Sequence, residues 1–115
     1  MNLLIISLSN LDYKEDVLLA LQSVGIQKAT VWDAKNLNKS LESEFSLFSG
    51  FFSGGSGHEG EKILILTHIE KIDDAKEFIA NLEEGGIPLK KENILSMYVL
   101  PTVLSFDKST GLIED

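Results

Sequence analysis

Four stretches of mostly apolar residues are short enough to be strands, and helical or loop-like segments separate them. They are NLLIISL (Asn2 to Leu8), KATVWDA (Lys28 to Ala34), KILILTH (Lys62 to His68) and ENILSMYVL (Glu92 to Leu100). Short apolar runs with turn-forming residues on either side are typical of buried strands. Pro101 ends the fourth run, and TVLSF after it is compatible with a short edge strand before a polar tail.

The segment after the first run has the spacing of an amphipathic helix. Its apolar residues fall at positions i, i+1, i+4 and i+7, on one helix face: Val17, Leu18, Leu21 and Val24. Asp12 followed by Glu15 resembles a capping box at the start of this helix. Gly25 suits the position just past its end. The pattern predicts a helix that packs against the strand before it.

A second helix is predicted in KIDDAKEFIANLEEGG, between the third and fourth runs. Gly85 or Gly86 ends it, and its apolar stripe consists of Ala75, Phe78, Ile79 and Leu82. The two halves of the chain also resemble each other at an offset of 61 residues, with Asp12 matching Asp73 and Gly25 matching Gly86. This weak repeat indicates two similar structural units.

The order of these elements predicts the fold class. The chain reads strand, helix, strand, long loop, strand, helix, strand. Two such units commonly interleave into a four-stranded antiparallel sheet with both helices on one face, the ferredoxin-like arrangement. We therefore predict an α+β fold in a single domain, residues 1–115, with residues 35–61 as a long insertion.

The strands are apolar on both faces. LLII, ILIL and ILSMYVL do not alternate with polar residues, as the strands of a sheet with one solvated face would. Two helices on one side leave the second face without a cover. In a chain this short we expect another copy of the chain to cover it.

Ionisable residues narrow the range of functions. The net charge is −8, all ten basic residues are lysines, and the chain has neither arginine nor cysteine. An acidic protein without arginine is a poor candidate for nucleic-acid binding. An anionic ligand would rely on backbone N–H groups and lysine. The first apolar run is only about seven residues long and lacks a basic flank, so we expect a cytoplasmic protein without membrane insertion.

A glycine-rich segment, FSGGSGHEGEK at residues 52–62, precedes the third strand. Gly55 and Gly60 have the G-x-x-x-x-G spacing of a P-loop, but Glu61 occupies the lysine position and a strand follows instead of a helix. Two interpretations stay open: a flexible loop end, or a backbone that approaches a ligand between subunits through Gly54, Gly55 and Gly57.

Aromatic residues precede this loop at helical spacing: Leu41, Phe45, Phe48 and Phe52. They indicate either a short helix that caps the core or a mobile segment that closes over a ligand or docks on a partner. His58 and His68 are the only imidazoles, and we predict no metal site from them. No Ser-His-Asp set or isolated carboxylate pair is present, so we predict a protein that is not an enzyme.

Three segments together resemble the PII-type nitrogen-regulatory signal proteins and indicate a divergent PII-like member. They cover nearly the whole chain: NLLIISLSNLDYKEDVLLALQSVGIQKATVWDAK, KILILTHIEKIDDAKEFIANLEEGG and NILSMYVLPTV. The order, the lengths and the long loop after the second strand agree with that family. The resemblance implies a homotrimer with its sheets facing the centre. It also implies adenine nucleotides in the intersubunit clefts, and a protein partner that contacts residues 35–61, the counterpart of the family's T-loop.

The resemblance also points to ligand-binding residues. Gly85 or Gly86 and Lys90 or Lys91 stand where the family has a Gly- and Lys-containing loop, although the spacing differs and the family's arginine pair is absent. Lys62 begins the strand after the glycine loop. The predicted ligand-binding residues are Gly54, Gly55, Gly57, Lys62, Gly86, Lys90 and Lys91.

The function expected from this resemblance is signal transduction or regulation through a small effector. Its identity stays open, with ATP, ADP and AMP as candidates. The alternative is a ferredoxin-like oligomer of another class, either a metal-responsive protein or a small enzyme with a pocket at the subunit interface.

Overall fold

The computed structural model describes residues 1–44 and 60–115. A short 3₁₀ turn, Leu11–Tyr13, follows the first strand. The helices are α1 (Lys14–Ser23), α2 (Leu37–Glu44) and α3 (Ile72–Glu84). The strands are β1 (Asn2–Leu8), β2 (Thr30–Lys35), β3 (Glu61–Ile69), β4 (Leu95–Pro101), β5 (Leu104–Asp107) and β6 (Gly111–Glu114).

The first four strands form one antiparallel sheet in the order β2-β3-β1-β4. With α1 and α3 as the crossing helices, this is the ferredoxin-like α+β fold, and the prediction of the fold class is confirmed. The register places Leu8 opposite Ile63 on one side and opposite Leu95 on the other. The end of β1 therefore lies beside the beginnings of β3 and β4.

The hydrophobic core lies between the sheet and the two helices. Alternate residues of β1 and β3 point toward the helices and are buried, among them Leu4, Ile6 and Ile65. Phe78 of α3 and Val17 of α1 are fully buried against them. Full burial of one such side chain stabilises a fold by about 1.5–3 kcal/mol, so this layer supplies most of the driving force for folding.

The two helices end in the same way. The N–H of Ile26 donates to the carbonyl of Leu21, and the N–H of Ile87 donates to the carbonyl of Leu82, both at 3.0 Å. Gly25 and Gly86 between them adopt φ of 85° and 87°, the left-handed conformation that glycine tolerates best. The repeat at an offset of 61 residues thus corresponds to a shared helix ending.

Several boundaries and caps differ from the sequence-based expectation. β2 begins at Thr30, two residues later than expected, because its pairing with β3 starts opposite Leu66. The predicted capping box at Asp12 is not used, since the side chain of Asn10 accepts a hydrogen bond from the Asp12 N–H instead (3.1 Å). A nearby asparagine displaces aspartate from the capping role because the 3₁₀ turn begins earlier than the helix.

The insertion is not irregular throughout. Residues 37–44 form α2, where a long loop was expected. Asn36 explains its start, because its Oδ1 accepts a hydrogen bond from the Lys39 N–H at 2.9 Å. Phe45, Phe48 and Phe52 lie outside the described residues, so the two interpretations of this aromatic spacing stay predictions.

The C-terminal segment also differs from the expected single edge strand and polar tail. β5 and β6 pair with each other in a separate two-stranded sheet. Asp107 closes its turn: its Oδ1 accepts hydrogen bonds from the N–H groups of Ser109 (2.7 Å) and Thr110 (2.9 Å). Gly111 follows with φ of 73°, as a three-residue hairpin loop with a glycine bulge requires. We call this element the C-terminal hairpin.

Candidate functional site

One end of the sheet gathers most of the predicted ligand-binding residues that the structure describes. There β1 ends and β3 and β4 begin, and the base of the 35–61 insertion and the loop between α3 and β4 both lie at this end. We call this region the loop end. Lys62 lies near the start of β3, while Gly86, Lys90 and Lys91 lie in the loop that leads to β4.

Short hydrogen bonds hold the loop end together. The N–H groups of Ser9 and Asn10 both donate to the carbonyl of Ile94, at 2.7 and 3.1 Å. Partial burial and the neighbouring Glu92 carboxylate raise the pKa of Tyr13 above its ordinary value. These contacts join the 3₁₀ turn after β1 to the segment just before β4.

The loop between α3 and β4 is ordered by its own backbone. The N–H groups of Lys91 and Glu92 donate to the carbonyl of Pro88 at 3.2 and 3.1 Å, and the N–H of Leu89 donates to the carbonyl of Ile87 at 2.9 Å. This turn carries Lys90 and Lys91 on the protein surface, where both are exposed. Their charged groups are available to a ligand from solvent or from a neighbouring subunit.

The charges at the loop end are mixed. Lys90 Nζ lies 3.9 Å from Glu83 Oε2, and both side chains are largely exposed. An exposed ion pair of this kind contributes about 0.2–1 kcal/mol, so a ligand anion can compete with Glu83 for Lys90. Lys62 is half-buried. Lys91 is exposed, and among the described residues no carboxylate forms an ion pair with it.

The predicted glycines divide into two groups. Gly86 is explained by the end of α3, and no atom outside its chain neighbours would lie within 4 Å of an added Cβ. The end of α3 therefore explains the conformation of Gly86. Gly86 lies beside the predicted site, but no described residue comes close enough to it to require a glycine. Gly54, Gly55 and Gly57 lie outside the described residues, and their role stays a prediction.

Gly60, which was not among the predicted site residues, closes the base of the insertion. Its carbonyl accepts a hydrogen bond from the Asn36 N–H at 2.8 Å, and its φ is 84°. A Cβ at this position would lie 2.8 Å from the Lys39 Cβ and 3.0 Å from Asn36 Oδ1. The glycine is required here because α2 passes too close for any side chain. In the sequence, the signal for this junction was an asparagine (Asn36) directly before α2 and a glycine (Gly60) directly before β3.

Within residues 1–44 and 60–115, no helix or strand packs on the second face of the sheet. On this face, which we call the open face, Trp32 pairs with Leu64, and Tyr98 pairs with Ile5. The apolar residues of the open face are Leu3, Ile5, Trp32, Leu64, Leu66, Tyr98 and Leu100. Trp32, Tyr98 and Leu100 are exposed. This arrangement agrees with the expectation that both faces of the sheet are apolar.

A concave pocket of about 340 Å³ lies at the opposite end of the sheet, between the α1–β2 and β3–α3 connections. Its lining includes His68, Lys28 and the carboxylates of Glu70 and Asp74. The lining thus combines an ammonium group with two carboxylates, and it contains none of the predicted ligand-binding residues. Its charge pattern favours neither an anion nor a cation.

The described residues were also compared with what a metal site and a membrane-spanning helix require. Across 1–44 and 60–115, no group of three or more His, Cys, Asp or Glu side chains is arranged to hold a metal ion. His58 and Glu59 lie outside these ranges. In the same part of the chain, none of the helices has the length and apolar character needed to cross a membrane.

Comparison with known proteins identifies the fold. No protein-family model matches the chain, and no curated protein matches it in sequence. The structure matches the crystal structure of Arabidopsis thaliana PII bound to citrate, with a TM-score of 0.58. The match covers 96% of this chain and 85% of that one. The chain has a PII-like fold. At 18% sequence identity the likeness concerns the fold alone, so the ligand site of that PII protein is not transferred residue by residue.

Proposed function

We propose that this PII-like chain is a small regulatory protein that binds an anionic effector at the loop end and signals through residues 35–61. The observation that carries the proposal is structural. The fold brings Lys62, Lys90 and Lys91 to the same end of the sheet as the base of the insertion. A ligand bound there would lie where the insertion leaves and re-enters the sheet.

The chemistry of the loop end favours an anion held by few charges. Without arginine, the chain offers single-point ammonium contacts and no planar guanidinium fork. Carboxylates at Glu83 and Glu92 limit the total positive charge. Both a nucleotide phosphate and a small polycarboxylate fit this description. The solved PII protein is bound to citrate, which supports including polycarboxylates among the candidates beside ATP, ADP and AMP.

The route from ligand to partner runs through the base of the insertion. Lys62 is separated from Gly60 by one residue, and the Gly60 carbonyl is hydrogen bonded to Asn36 at the start of α2. A ligand that draws Lys62 toward it would act directly on this junction. The expected output is a change in how residues 35–61 meet a partner protein. The clefts between subunits of a trimer are the proposed location of the ligand, and no catalytic step is part of the proposal.

A thermal-shift screen with ATP, ADP, AMP, citrate and other di- and tricarboxylates tests this function. A ligand present at 100 times its Kd adds about 2.7 kcal/mol to the free energy of unfolding. The variant Lys90→Ala/Lys91→Ala should lose at least about tenfold in affinity, since a hydrogen bond to a charged group contributes about 1.5–3 kcal/mol.

The matched control is Lys71→Ala/Lys76→Ala. Both lysines are exposed and begin or lie on α3, away from the loop end, so the control changes net charge equally without touching the site. It should retain full affinity and full stability. If every anion in the screen leaves the melting temperature unchanged at millimolar concentration, the proposed effector function is wrong. If both double variants lost the same amount of affinity, the change in net charge alone would explain the effect.

A further inference from the structure

The C-terminal hairpin carries an apolar face that no residue in the described part of the chain covers. Leu104, Phe106 and Leu112 share this face, because Leu104 pairs with Glu114 and Phe106 pairs with Leu112. Their exposed fractions are 58%, 74% and 69%. Large apolar side chains this exposed and this close together mark an interaction surface.

The hairpin also lacks the support that such an element needs. A two-stranded hairpin alone is marginally stable in water, and a third strand or a packed surface is normally required. Two hydrogen bonds connect the hairpin and the residue before it to the start of the chain. The Thr102 N–H donates to the Met1 carbonyl (3.1 Å), and the Ser105 hydroxyl donates to Met1 Sδ (3.8 Å). Both lie at its base, so the apolar face gains nothing from them.

The open face of the main sheet offers a surface of matching character. Trp32 and Leu64 are paired on it, and Trp32 remains 42% exposed at the β2 edge. Sheets that pack face to face do so through apolar side chains about 10 Å apart, so a hairpin laid on this face would bury both surfaces at once.

The hairpin of one chain does not reach this position on its own sheet. Trp32 lies at the level of Ser96, five residues before Pro101 and three strands across from β4. With a rise of about 3.4 Å per residue and a strand spacing of about 4.8 Å, Trp32 is about 22 Å from Pro101. Phe106 follows Pro101 by five residues, a reach of about 17 Å at most. A C-terminal hairpin that packs beside Trp32 must therefore belong to another copy of the chain.

We infer that the C-terminal hairpin is an intersubunit arm, whose apolar face packs on the open face of a second copy of this chain beside Trp32 and Leu64. The inference rests on the proposed oligomer and names the element that holds it together. Charge supports the same seating. Glu114 lies two residues from Leu112 on the arm, and Lys62 lies two residues from Leu64 on the open face. When the direction from Leu112 to Glu114 runs along the direction from Leu64 to Lys62, placing Leu112 over Leu64 also brings the carboxylate and the ammonium group together.

In this arrangement every copy of the chain makes the same contacts. Each chain offers one arm and accepts one, which is a heterologous contact, and such contacts close into a ring when the rotation allows it. A trimer would contain three equivalent arm contacts. The proposed effector site does not depend on these residues other than Lys62, so the two hypotheses can fail separately.

Crosslinking between two single-cysteine variants tests the arm. The natural chain has no cysteine, so Phe106→Cys and Trp32→Cys each introduce one unique thiol. The two variants are co-expressed and treated with a bismaleimide that spans the ~10 Å between packed sheets. We expect a covalent dimer at twice 12.7 kDa that contains one chain of each variant. The matched control replaces Trp32→Cys by Leu19→Cys, an exposed apolar position on α1, and should give none.

Sedimentation supplies a second measurement that does not need the crosslink. Phe106→Ser should shift the chain toward lower mass at micromolar concentration, while Leu19→Ser should not. A crosslink between two Phe106→Cys chains alone would overturn the inference in favour of arm-to-arm pairing. Absence of the mixed crosslink in a sample that sediments as an oligomer would overturn the arm and leave the proposed oligomer intact. A monomeric natural chain would overturn both, while the thermal-shift screen still tests effector binding.

Discussion

At the scale of single residues, the clearest local chemistry is in the turn of the C-terminal hairpin. The Asp107 carboxylate accepts hydrogen bonds from the Ser109 hydroxyl (2.7 Å) and from two backbone N–H groups. An aspartate that bonds the backbone two residues further on is a common way to begin a turn. The sequence DKSTG thus specifies the hairpin loop, although it first suggests only a polar tail.

This turn makes a pH-dependent prediction. The hydrogen bond from the Ser109 side chain, with the N–H groups of Thr110 and Ser109, lowers the pKa of Asp107 from 3.8 to about 2. A carboxyl whose pKa is lower in the folded state contributes stability above its unfolded pKa and loses it as pH falls through the folded pKa. The turn should therefore loosen as the pH falls from about 4 to about 2. Faster amide exchange at Ser109 and Thr110 would report this change.

An NMR titration of the Asp107 carboxyl carbon checks the same assignment directly, with a midpoint near 2 expected. Asp107→Asn should remove this pH dependence while retaining an acceptor oxygen. A midpoint for Asp107 at the ordinary aspartate value of 3.8 would show that the turn hydrogen bonds do not persist in solution.

At the scale of elements, the two βα units end their helices with the same geometry. Gly25 and Gly86 both have positive φ, and neither would bring an added Cβ within 4 Å of another residue. The cost of alanine at these positions is therefore that of the left-handed backbone alone. Gly60 is different, because α2 also approaches it closely.

We predict that Gly25→Ala and Gly86→Ala each lower the free energy of unfolding by about 1–2 kcal/mol, the cost of the left-handed conformation for a residue with a Cβ. Chemical denaturation measures both. Gly85→Ala is the control, since Gly85 has φ of −77° and an added Cβ there meets only ordinary contacts at 3.4 Å and beyond. Losses that differ widely between Gly25→Ala and Gly86→Ala would contradict the equivalence of the two helix ends.

At the scale of the whole molecule, the open face is the dominant unsatisfied feature. It combines Tyr98, Leu100 and Trp32, all exposed, with the half-buried residues of β1 and β3. An apolar surface on this scale marks a protein contact. The sequence resemblance to PII proteins implies a trimer, and in such a trimer the arm proposed above would be part of this contact.

We predict that the natural chain sediments at micromolar concentration with a mass near three times 12.7 kDa. Tyr98→Lys places a charge on the open face, in the middle of the edge strand β4, and should produce monomers, because burying an unpaired charge is strongly unfavourable. Leu19→Lys on the helix side should leave the mass unchanged. A dimer of the natural chain would contradict the trimer and keep the covered open face, whereas a monomer would contradict both.

The helix patterns were predictable because they are local. The spacing of Ala75, Phe78 and Leu82 requires only that one helix face meet a core, and all three are buried. The ends of β2 and the start of α2 were not predictable in the same way. They depend on pairing with β3 and on the close approach of Asn36 to Gly60, contacts between residues far apart in the sequence.

The predicted site shows the same division. The resemblance to PII proteins pointed to Lys90 and Lys91, and Lys62 was chosen because it begins the strand after the glycine loop. Their common location follows from strand order, because β3 and β4 both begin beside the end of β1. No periodicity contains that information.

By itself, the sequence determined the four strands of the main sheet, the helices α1 and α3 with their glycine ends, and the presence of apolar residues on both sides of the strands. These depend on neighbours within a few positions, where spacing alone decides which side chains share a face. Only the tertiary structure decided which face the helices leave uncovered, and that residues 104–114 form a hairpin with its own exposed apolar face. Coverage is a property of how distant segments pack, so it exists only once the register of the sheet is set.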